Sequence, residues 1–192
     1  MNLPAIIARR TLHHGRKFDY QQVTVRHASG REHAREFVRH PGAVVVVPVL
    51  QTPGGPAVVL IRVYRAAIDA MSLECCAGTL EPGEDPAACA GRELIEETGY
   101  RAASIAHLAS FRTSPGLSDE LMHAFLATGL THVGQDLEDD EEIEVRVVPA
   151  AEALALIDCG EIADGKSIAA LCLAARRGHL DASSPAHPPA SR

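Results

Sequence analysis

Residues 78–100 read GTLEPGEDPAACAGRELIEETGY, and this segment places Glu93, Glu96 and Glu97 within five residues, with Glu84 upstream. Carboxylates this close together repel one another, so the cluster is unfavourable unless a cation binds to it. Hard divalent cations such as Mg²⁺ prefer oxygen ligands and often bind together with substrate phosphates. The segment therefore indicates metal-assisted chemistry on a phosphorylated compound.

The middle of this segment has the start and stop signals of a helix. Asp85 is a good N-cap residue, Pro86 is suited to the first helical position, and Gly99 is a natural left-handed terminator. At about 100° per residue, one arc of this helix is small or apolar, and the three glutamates occupy the neighbouring arc. The arc predicted to pack comprises Ala87, Ala90, Gly91, Leu94 and Thr98. We therefore expect the helix to pack by that side and to present its carboxylates on the other.

The rest of the chain reads as a mixed α/β protein. Strands are predicted at residues 18–25, 32–38, 42–50, 57–63, 71–76, 105–111, 123–127 and 143–148, and further helices at residues 150–157 and 167–177. The continuous apolar run at residues 42–50 is typical of a strand buried on both faces. We predict an N-terminal β extension over residues 1–40, a main domain over residues 41–180 and a disordered tail over residues 181–192.

The composition of the chain argues against nucleic acid and membranes as binding partners. The 192 residues suffice for one ordinary domain, and the formal net charge of −7 argues against nucleic acid as a main partner. We expect all five cysteines to be reduced and mostly buried, because their odd number and spacing fit neither a disulfide framework nor a zinc site. The sequence has neither a signal-peptide pattern nor an apolar run of membrane-spanning length, so we expect a cytoplasmic protein with no membrane partner.

The spacing within residues 78–100 is G-x₅-E-x₇-R-E-L-x-E-E-x-G-Y. This pattern resembles the Nudix box, the signature of Nudix hydrolases, and departs from it only at Tyr100, where an aliphatic residue is more usual. Residues 114–120, SPGLSDE, and residues 73–78, LECCAG, are similar to segments of the ADP-ribose pyrophosphatase group within that family. The resemblance covers roughly residues 15–178. It implies an α/β/α sandwich with a mixed sheet, extended by an N-terminal antiparallel sheet.

The helical spacing explains how such a box would work. Glu93 lies three and four residues before Glu96 and Glu97, so the three carboxylates meet on one helix surface and could share Mg²⁺ ions. Arg92 lies four residues before Glu96 and could pair with that carboxylate and orient it. Glycines in the preceding loop permit a close approach of the backbone to the metals.

The family resemblance implies a set of metal ligands and a base. The implied metal ligands are the carbonyl of Ala77, the carboxylates of Glu93 and Glu97, and an acidic residue of the loop at residues 137–144. In that loop we favour Glu141 as the ligand and either Asp139 or Glu142 as the base that deprotonates the attacking water. The implied metal is Mg²⁺, with Mn²⁺ possible.

The resemblance also implies where the substrate binds. Arg35, Glu36 and Arg39 precede the first buried strand, and Arg65 follows the second; arginines at these positions could clamp a diphosphate. Ser114 and Glu120 match positions that approach the terminal ribose. The N-terminal segment has too little apolar sequence to form its own core, so we expect it to pack on a second copy of the chain in a homodimer.

These inferences predict a Mg²⁺-dependent hydrolase that cleaves the diphosphate of ADP-ribose or a related nucleoside diphosphate sugar into a nucleoside monophosphate and a sugar phosphate. One alternative is a Nudix hydrolase for another diphosphate, such as GDP-mannose or NADH. The other is a non-catalytic Nudix module that senses a nucleotide sugar and regulates another protein.

Overall fold

The computed structural model of this protein describes residues 3–137 and 142–181. The chain divides into two compact units, one formed by Met1–Gly42 with Phe111–Leu121 and the other by Ala43–Ser110 with Met122–Arg192. The predicted base Asp139 and the predicted ligand Glu141 fall between the two described ranges, and the predicted disordered tail falls after them, apart from residue 181.

The first unit contains a three-stranded antiparallel sheet. Its strands are β1 (Ala5–His14), β2 (Asp19–Arg26) and β3 (Glu32–Arg39), in the order β1-β2-β3. The β2–β3 hairpin agrees with the sequence prediction. Strand β1 was not predicted, because nearly all of its side chains are exposed and it therefore has no alternation between buried and exposed residues.

The second unit is built on a seven-stranded mixed sheet. Its main path runs β12-β5-β4-β10-β9, while β6 pairs with β5 and β7 pairs with β4. These strands are β4 (Ala43–Thr52), β5 (Gly55–Arg65), β6 (Ala70–Glu74), β7 (Ala77–Thr79), β9 (Ser104–Arg112), β10 (Leu121–Thr128) and β12 (Ile143–Pro149). A separate two-stranded ribbon pairs β8 (Tyr100–Arg101) with β11 (Thr131–His132).

Strand β4 lies at the centre of this sheet. It pairs in parallel with β10 from Ala43 to Pro48, and antiparallel with β7 and β5 at its two ends. The side chains of Val44, Val45, Val46 and Val47 are fully buried. Alternate residues of a strand point to opposite faces, so both faces of β4 are covered, as the continuous apolar run predicted.

In the described part of the chain, three helices accompany the sheet: α1 (Pro86–Thr98), α2 (Ala150–Asp158) and α3 (Gly165–Arg176). Helix α1 packs through Cys89, Ala90 and Leu94 in one core cluster with Val44 and Val46 of β4. Helix α3 also contacts β4 and packs on α2. The result is the mixed α/β architecture with an additional antiparallel sheet that the sequence predicted.

Helix α1 begins and ends where its sequence signals predicted. The carboxylate of Asp85 accepts hydrogen bonds from the amides of Ala87 and Ala88, and Gly99 ends the helix in the left-handed conformation, at a φ of 72°. Two details of the prediction were wrong. Ala87, expected to pack, is exposed, and Glu97, expected on the presenting side, is only 6% exposed.

The five cysteines are all free, as predicted, but only Cys75, Cys76 and Cys89 are buried, whereas Cys159 and Cys172 are exposed. Within residues 3–137 and 142–181, none of the helices combines the length and the apolar character needed to cross a membrane.

Candidate active site

The site in the second unit forms where α1 packs against the short strand β7. Gly78 lies in β7, and a Cβ atom placed on it would come within 1.8 Å of the Cδ and Oε1 atoms of Glu93. No other residue type could allow this approach without moving Glu93. The glycine therefore brings the Glu93 carboxylate directly against the backbone of β7.

The neighbouring turn of α1 is attached to the same strand. The amide of Ala77 donates a 2.9 Å hydrogen bond to Oε2 of Glu97. This bond explains why Glu97 is buried rather than presented to solvent. Two predicted metal ligands, Glu93 and Glu97, thus lie beside the third, Ala77, because the helical repeat places both carboxylates over β7.

The side chain of Arg92 forms ion pairs with the carboxylates of Glu84, Glu93 and Glu96. Its guanidinium donates to both carboxylate oxygens of Glu84, at 3.0 and 3.2 Å, and Nη1 lies 2.8 Å from Oε2 of Glu96 and 2.8 Å from Oε1 of Glu93. The predicted pairing of Arg92 with Glu96 is therefore present. The larger contact, with Glu84, was missed, since a bidentate bond across eight residues has no helical-repeat signal.

The charges in this group do not balance. The hydrogen bond from Arg92 lowers the pKa of Glu84 to about 2, so that carboxylate stays ionised at neutral pH. Arg92 faces the carboxylates of Glu84, Glu93 and Glu96, and the charge of Arg65 acts on Glu97 beside them. The excess of negative charge makes the group a suitable environment for a cation.

The donor chemistry of the site fits a hard divalent metal ion. Carboxylate oxygens of Glu93 and Glu97 and the main-chain carbonyl of Ala77 are oxygen ligands of the kind that Mg²⁺ prefers. The space beside Gly78, which we call the cradle, is occupied by the Glu93 carboxylate. Any residue with a Cβ at position 78 would fill this space instead. Among the residues that the structure describes, no three His, Cys, Asp or Glu side chains by themselves form a metal-holding group.

Arg65, a predicted substrate contact, lies in the same unit and is held by Glu74. Its Nε and Nη2 atoms donate to the two carboxylate oxygens of Glu74 at 3.0 and 2.8 Å. Lys166 donates to the same carboxylate. Burial by itself raises the pKa of Glu74, but the hydrogen bond from Arg65 and the charge of Lys166 outweigh it and lower that pKa to about 2. Sequence reasoning included Glu74 only as part of the motif at residues 73–78, and it missed the contacts of Glu74 with Arg65 and with the distant Lys166.

Four of the remaining predicted substrate residues have described contacts in the first unit. The side chain of Arg39 pairs with Asp119, and the backbone amide of His40 donates to the same carboxylate at 2.8 Å. These contacts hold residues 114–120 on the end of β3, where Val38 forms a bridge with Ser118.

Glu120 accepts a hydrogen bond from Thr113, and the carbonyl of Ser114 accepts from Leu117 and Ser118. Glu36 accepts from Tyr20 and Gln22, which together lower its pKa.

Arg35 is exposed. Within the described part of the chain, its side chain donates a hydrogen bond only to the carbonyl of the neighbouring residue, Ala34. Arg39 also lines a cavity of about 370 Å³, formed by residues 15–19 and 39–41. The structure thus brings Arg39, Glu120 and the loop of Ser114 together in the first unit. The carboxylate cluster and Arg65 belong to the second unit.

Comparison with known proteins agrees with this geometry. The family model described as the NUDIX domain matches residues 39–171. The chain is 37% identical to an ADP-ribose pyrophosphatase of Bacillus subtilis, over 86% of this chain and 89% of that protein. It is 38% identical to a methanol dehydrogenase activator of Bacillus methanolicus, over 82% and 84% of the two chains, and 38% identical to a GDP-mannose pyrophosphatase of Citrobacter koseri, over 71% and 74%.

A solved structure described as an ADP compounds hydrolase has the same fold. It superposes with a TM-score of 0.81, covering 93% of this chain and 97% of the other, at 22% identity. The family model spans most of the chain, and it includes both the cradle at Gly78 and the glutamates of α1. The chain therefore belongs to the NUDIX family.

Proposed function

We propose that this protein hydrolyses the diphosphate bond of ADP-ribose or a related nucleoside diphosphate sugar, giving a nucleoside monophosphate and a sugar phosphate. The observation that carries the proposal is the packing of Glu93 and Glu97 against Ala77 and Gly78, with Arg92 holding the adjacent carboxylates. The identity of 37% to an ADP-ribose pyrophosphatase over most of both chains supports the choice of substrate class.

In this proposal the protein contributes a rigid set of oxygen donors. The bond from the Ala77 amide fixes one oxygen of Glu97 beside β7. Arg92 restrains Glu93 and Glu96 and prevents these carboxylates from separating under their mutual repulsion. Such preorganisation reduces the reorganisation needed at the moment of reaction.

Mg²⁺, or Mn²⁺ in its place, would be held by Glu93, Glu97, the Ala77 carbonyl and Glu141, and when bound it would neutralise charge on the diphosphate. The attacking water would lose its proton to an acidic residue of the loop before β12, either Asp139 or Glu142. Of these loop residues, only Glu142 belongs to the described chain, where it is exposed.

The chain has a net charge of −7, and only a few of its arginines are proposed to contact the negatively charged substrate. We assign the diphosphate to Arg65, since a guanidinium offers paired donors that match phosphate oxygens, and we propose Arg39 as a further substrate contact. Arg35 and Glu36 would contact the base, and Ser114 and Glu120 would approach the terminal ribose. We further infer a cytoplasmic homodimer joined through the β1-β2-β3 sheet.

Two other functions have specific support. Hydrolysis of GDP-mannose is favoured by the 38% identity to a GDP-mannose pyrophosphatase, and a regulatory role is favoured by the equal identity to a protein named as an activator. The intact set of Arg92, Glu93 and Glu97 favours catalysis over a purely regulatory module. The bases and sugars of the candidate substrates differ, so a substrate panel separates the first two functions.

The test is the substitution Glu97→Gln. The amide oxygen of glutamine can still accept from Ala77, so the fold should survive, while one negative charge of the proposed metal site is lost. We expect kcat for ADP-ribose to fall on the order of a hundredfold or more. Release of AMP with Mg²⁺ or Mn²⁺ measures hydrolysis, and calorimetry on the variant measures retained binding of ADP-ribose.

Glu152→Gln is the matched control, because Glu152 is an exposed glutamate of α2. Its kcat should equal that of the wild type. A wild-type protein that binds ADP-ribose but releases no AMP with either metal would exclude the proposed reaction. Faster turnover of GDP-mannose or NADH in the panel would replace the substrate and leave the reaction class intact.

A further inference from the structure

The first turn of α3 contributes charged and polar groups to a buried cluster beside β6. Lys166 contacts both the Glu74 carboxylate and, at 3.0 Å, the carboxylate of Asp164. Glu74 also binds Arg65 through both oxygens. The side chains of Glu74 and Lys166 are only 3% and 16% exposed, whereas that of Arg65 is 41% exposed. Arg65 is thus the member of the cluster that reaches solvent.

The ion pairs of this cluster join two positive side chains, Arg65 and Lys166, to two negative ones, Glu74 and Asp164. Without Lys166, the carboxylates of Glu74 and Asp164 would share the single positive charge of Arg65. Buried charges that lose their partner exert a strong pull on the remaining counter-ion, because little solvent screens them. Lys166 therefore shares the negative charge of Glu74 with Arg65, whose side chain is 41% exposed.

We propose that Lys166 is a positioning residue that neutralises Glu74 and thereby keeps the guanidinium of Arg65 directed toward the diphosphate of the substrate. The proposal rests on the proposed function, in which Arg65 binds that diphosphate. Lys166 itself does not touch the substrate; it acts through Glu74 and Arg65.

A second bond ties the same turn of α3 to the chain that leads into the site. The Ser167 hydroxyl accepts a 2.9 Å hydrogen bond from the Cys75 amide, and the Asp164 carboxylate caps the helix by accepting from the amide and hydroxyl of Ser167. Ser167 is fully buried. The first turn of α3 therefore holds two consecutive residues, Glu74 and Cys75, just before Ala77 contacts Glu97.

The test is Lys166→Met, which keeps an unbranched side chain only one atom shorter and removes its charge. We expect KM for ADP-ribose to rise about tenfold, the scale of an indirect coupling within a connected network. We expect kcat to change less than about twofold, because the ion-pair partners of Lys166 are Glu74 and Asp164 rather than the proposed metal ligands. Lys166→Arg should restore most of the affinity, and Arg146→Met, which removes an exposed partner of Glu161, is the control.

A double-mutant cycle shows whether Lys166 acts through Arg65. In an Arg65→Met background, Lys166→Met should change KM by less than about twofold, because the group that it positions is absent. An equal rise in KM in both backgrounds would overturn the proposal. So would a fall in kcat with unchanged KM, the result expected if Lys166 only maintained the fold; thermal unfolding monitors that role separately.

A spectroscopic readout separates this proposal from the proposed function. The Nε–H group of Arg65 donates to Glu74, so its ¹H–¹⁵N signal reports the contact directly, and Arg65→Met assigns that signal. Lys166→Met should shift the signal, while Arg146→Met should leave it in place. A shifted signal in a protein without diphosphatase activity would refute the proposed function alone. An unshifted signal would refute the role of Lys166.

Discussion

At the scale of single residues, the site depends on one close approach. Gly78 is required because the side chain of Glu93 occupies the space that a Cβ would take. The box glycine is thus explained by sterics rather than by an unusual backbone conformation, since Gly78 is absent from the glycines that have positive φ. This reason could not be read from the sequence, which suggested only a generally tight loop.

Gly78→Ala should therefore displace Glu93 or separate α1 from β7. We expect a loss of about 2 kcal/mol in the free energy of unfolding, as for other overpacked sites. We also expect a fall in kcat of about a hundredfold, the effect of a catalytic group displaced by about 1 Å. Denaturant unfolding and steady-state kinetics measure the two effects.

Gly54→Ala is the matched control, because the nearest atom to a Cβ at Gly54 is the Thr52 hydroxyl at an ordinary 3.7 Å. It should leave kcat unchanged. A fully active Gly78→Ala protein would show that the Glu93 position has no importance for hydrolysis.

At the scale of elements, β5, β6 and α3 are joined by the Glu74 carboxylate. Its pKa is lowered from 4.5 in the unfolded reference to about 2 in the folded protein. A lowered carboxyl pKa stabilises the folded state fully above the reference value, and this stabilisation is lost as pH falls from about 4.5 toward about 2. The three elements should therefore separate more easily in acid.

Comparison of Glu74→Gln with the wild type measures this contribution. Between pH 5 and pH 3, the wild-type free energy of unfolding should fall by about 2 kcal/mol more than that of the variant. Urea titrations at the two pH values give both quantities. Equal losses in the two proteins would show that the ion pairs of Glu74 do not carry the acid sensitivity.

Elements were predictable where their signals were local. Asp85, Pro86 and Gly99 defined α1, and the apolar run defined β4, because capping and burial leave their pattern within a few residues. Strand β1 has exposed side chains on both faces and left no such pattern. The contact between Lys166 and Glu74 was equally hidden, since tertiary folding alone brings residues so distant in sequence together.

At the scale of the whole molecule, the first unit exposes several large apolar side chains on its sheet. Ile6, Ile7 and Leu12 of β1 and Tyr20 of β2 are each about 40% exposed or more. Exposed apolar side chains on an open sheet are typical of a surface that binds another chain. This observation supports the predicted homodimer through the N-terminal sheet.

The double substitution Ile6→Lys with Leu12→Lys should shift the protein from dimer to monomer, because it places charges in the proposed interface. Light scattering coupled to size exclusion gives the molar mass of each protein. Val133→Lys, at a site of similar exposure in the second unit, should remain dimeric. A wild type that is monomeric at micromolar concentration would contradict the prediction.

The parallel pairing of β4 with β10 has a consequence during synthesis. Strand β4 and its antiparallel neighbours β5 and β7 leave the ribosome well before β10, which supplies the parallel neighbour along Ala43–Pro48. Until then, the valine-rich run of β4 has an open hydrogen-bonding edge on the nascent chain. Such an edge is prone to aggregation, and loop closure over this distance is slow. The strand at the centre of the finished enzyme thus lacks its parallel neighbour during the early part of synthesis.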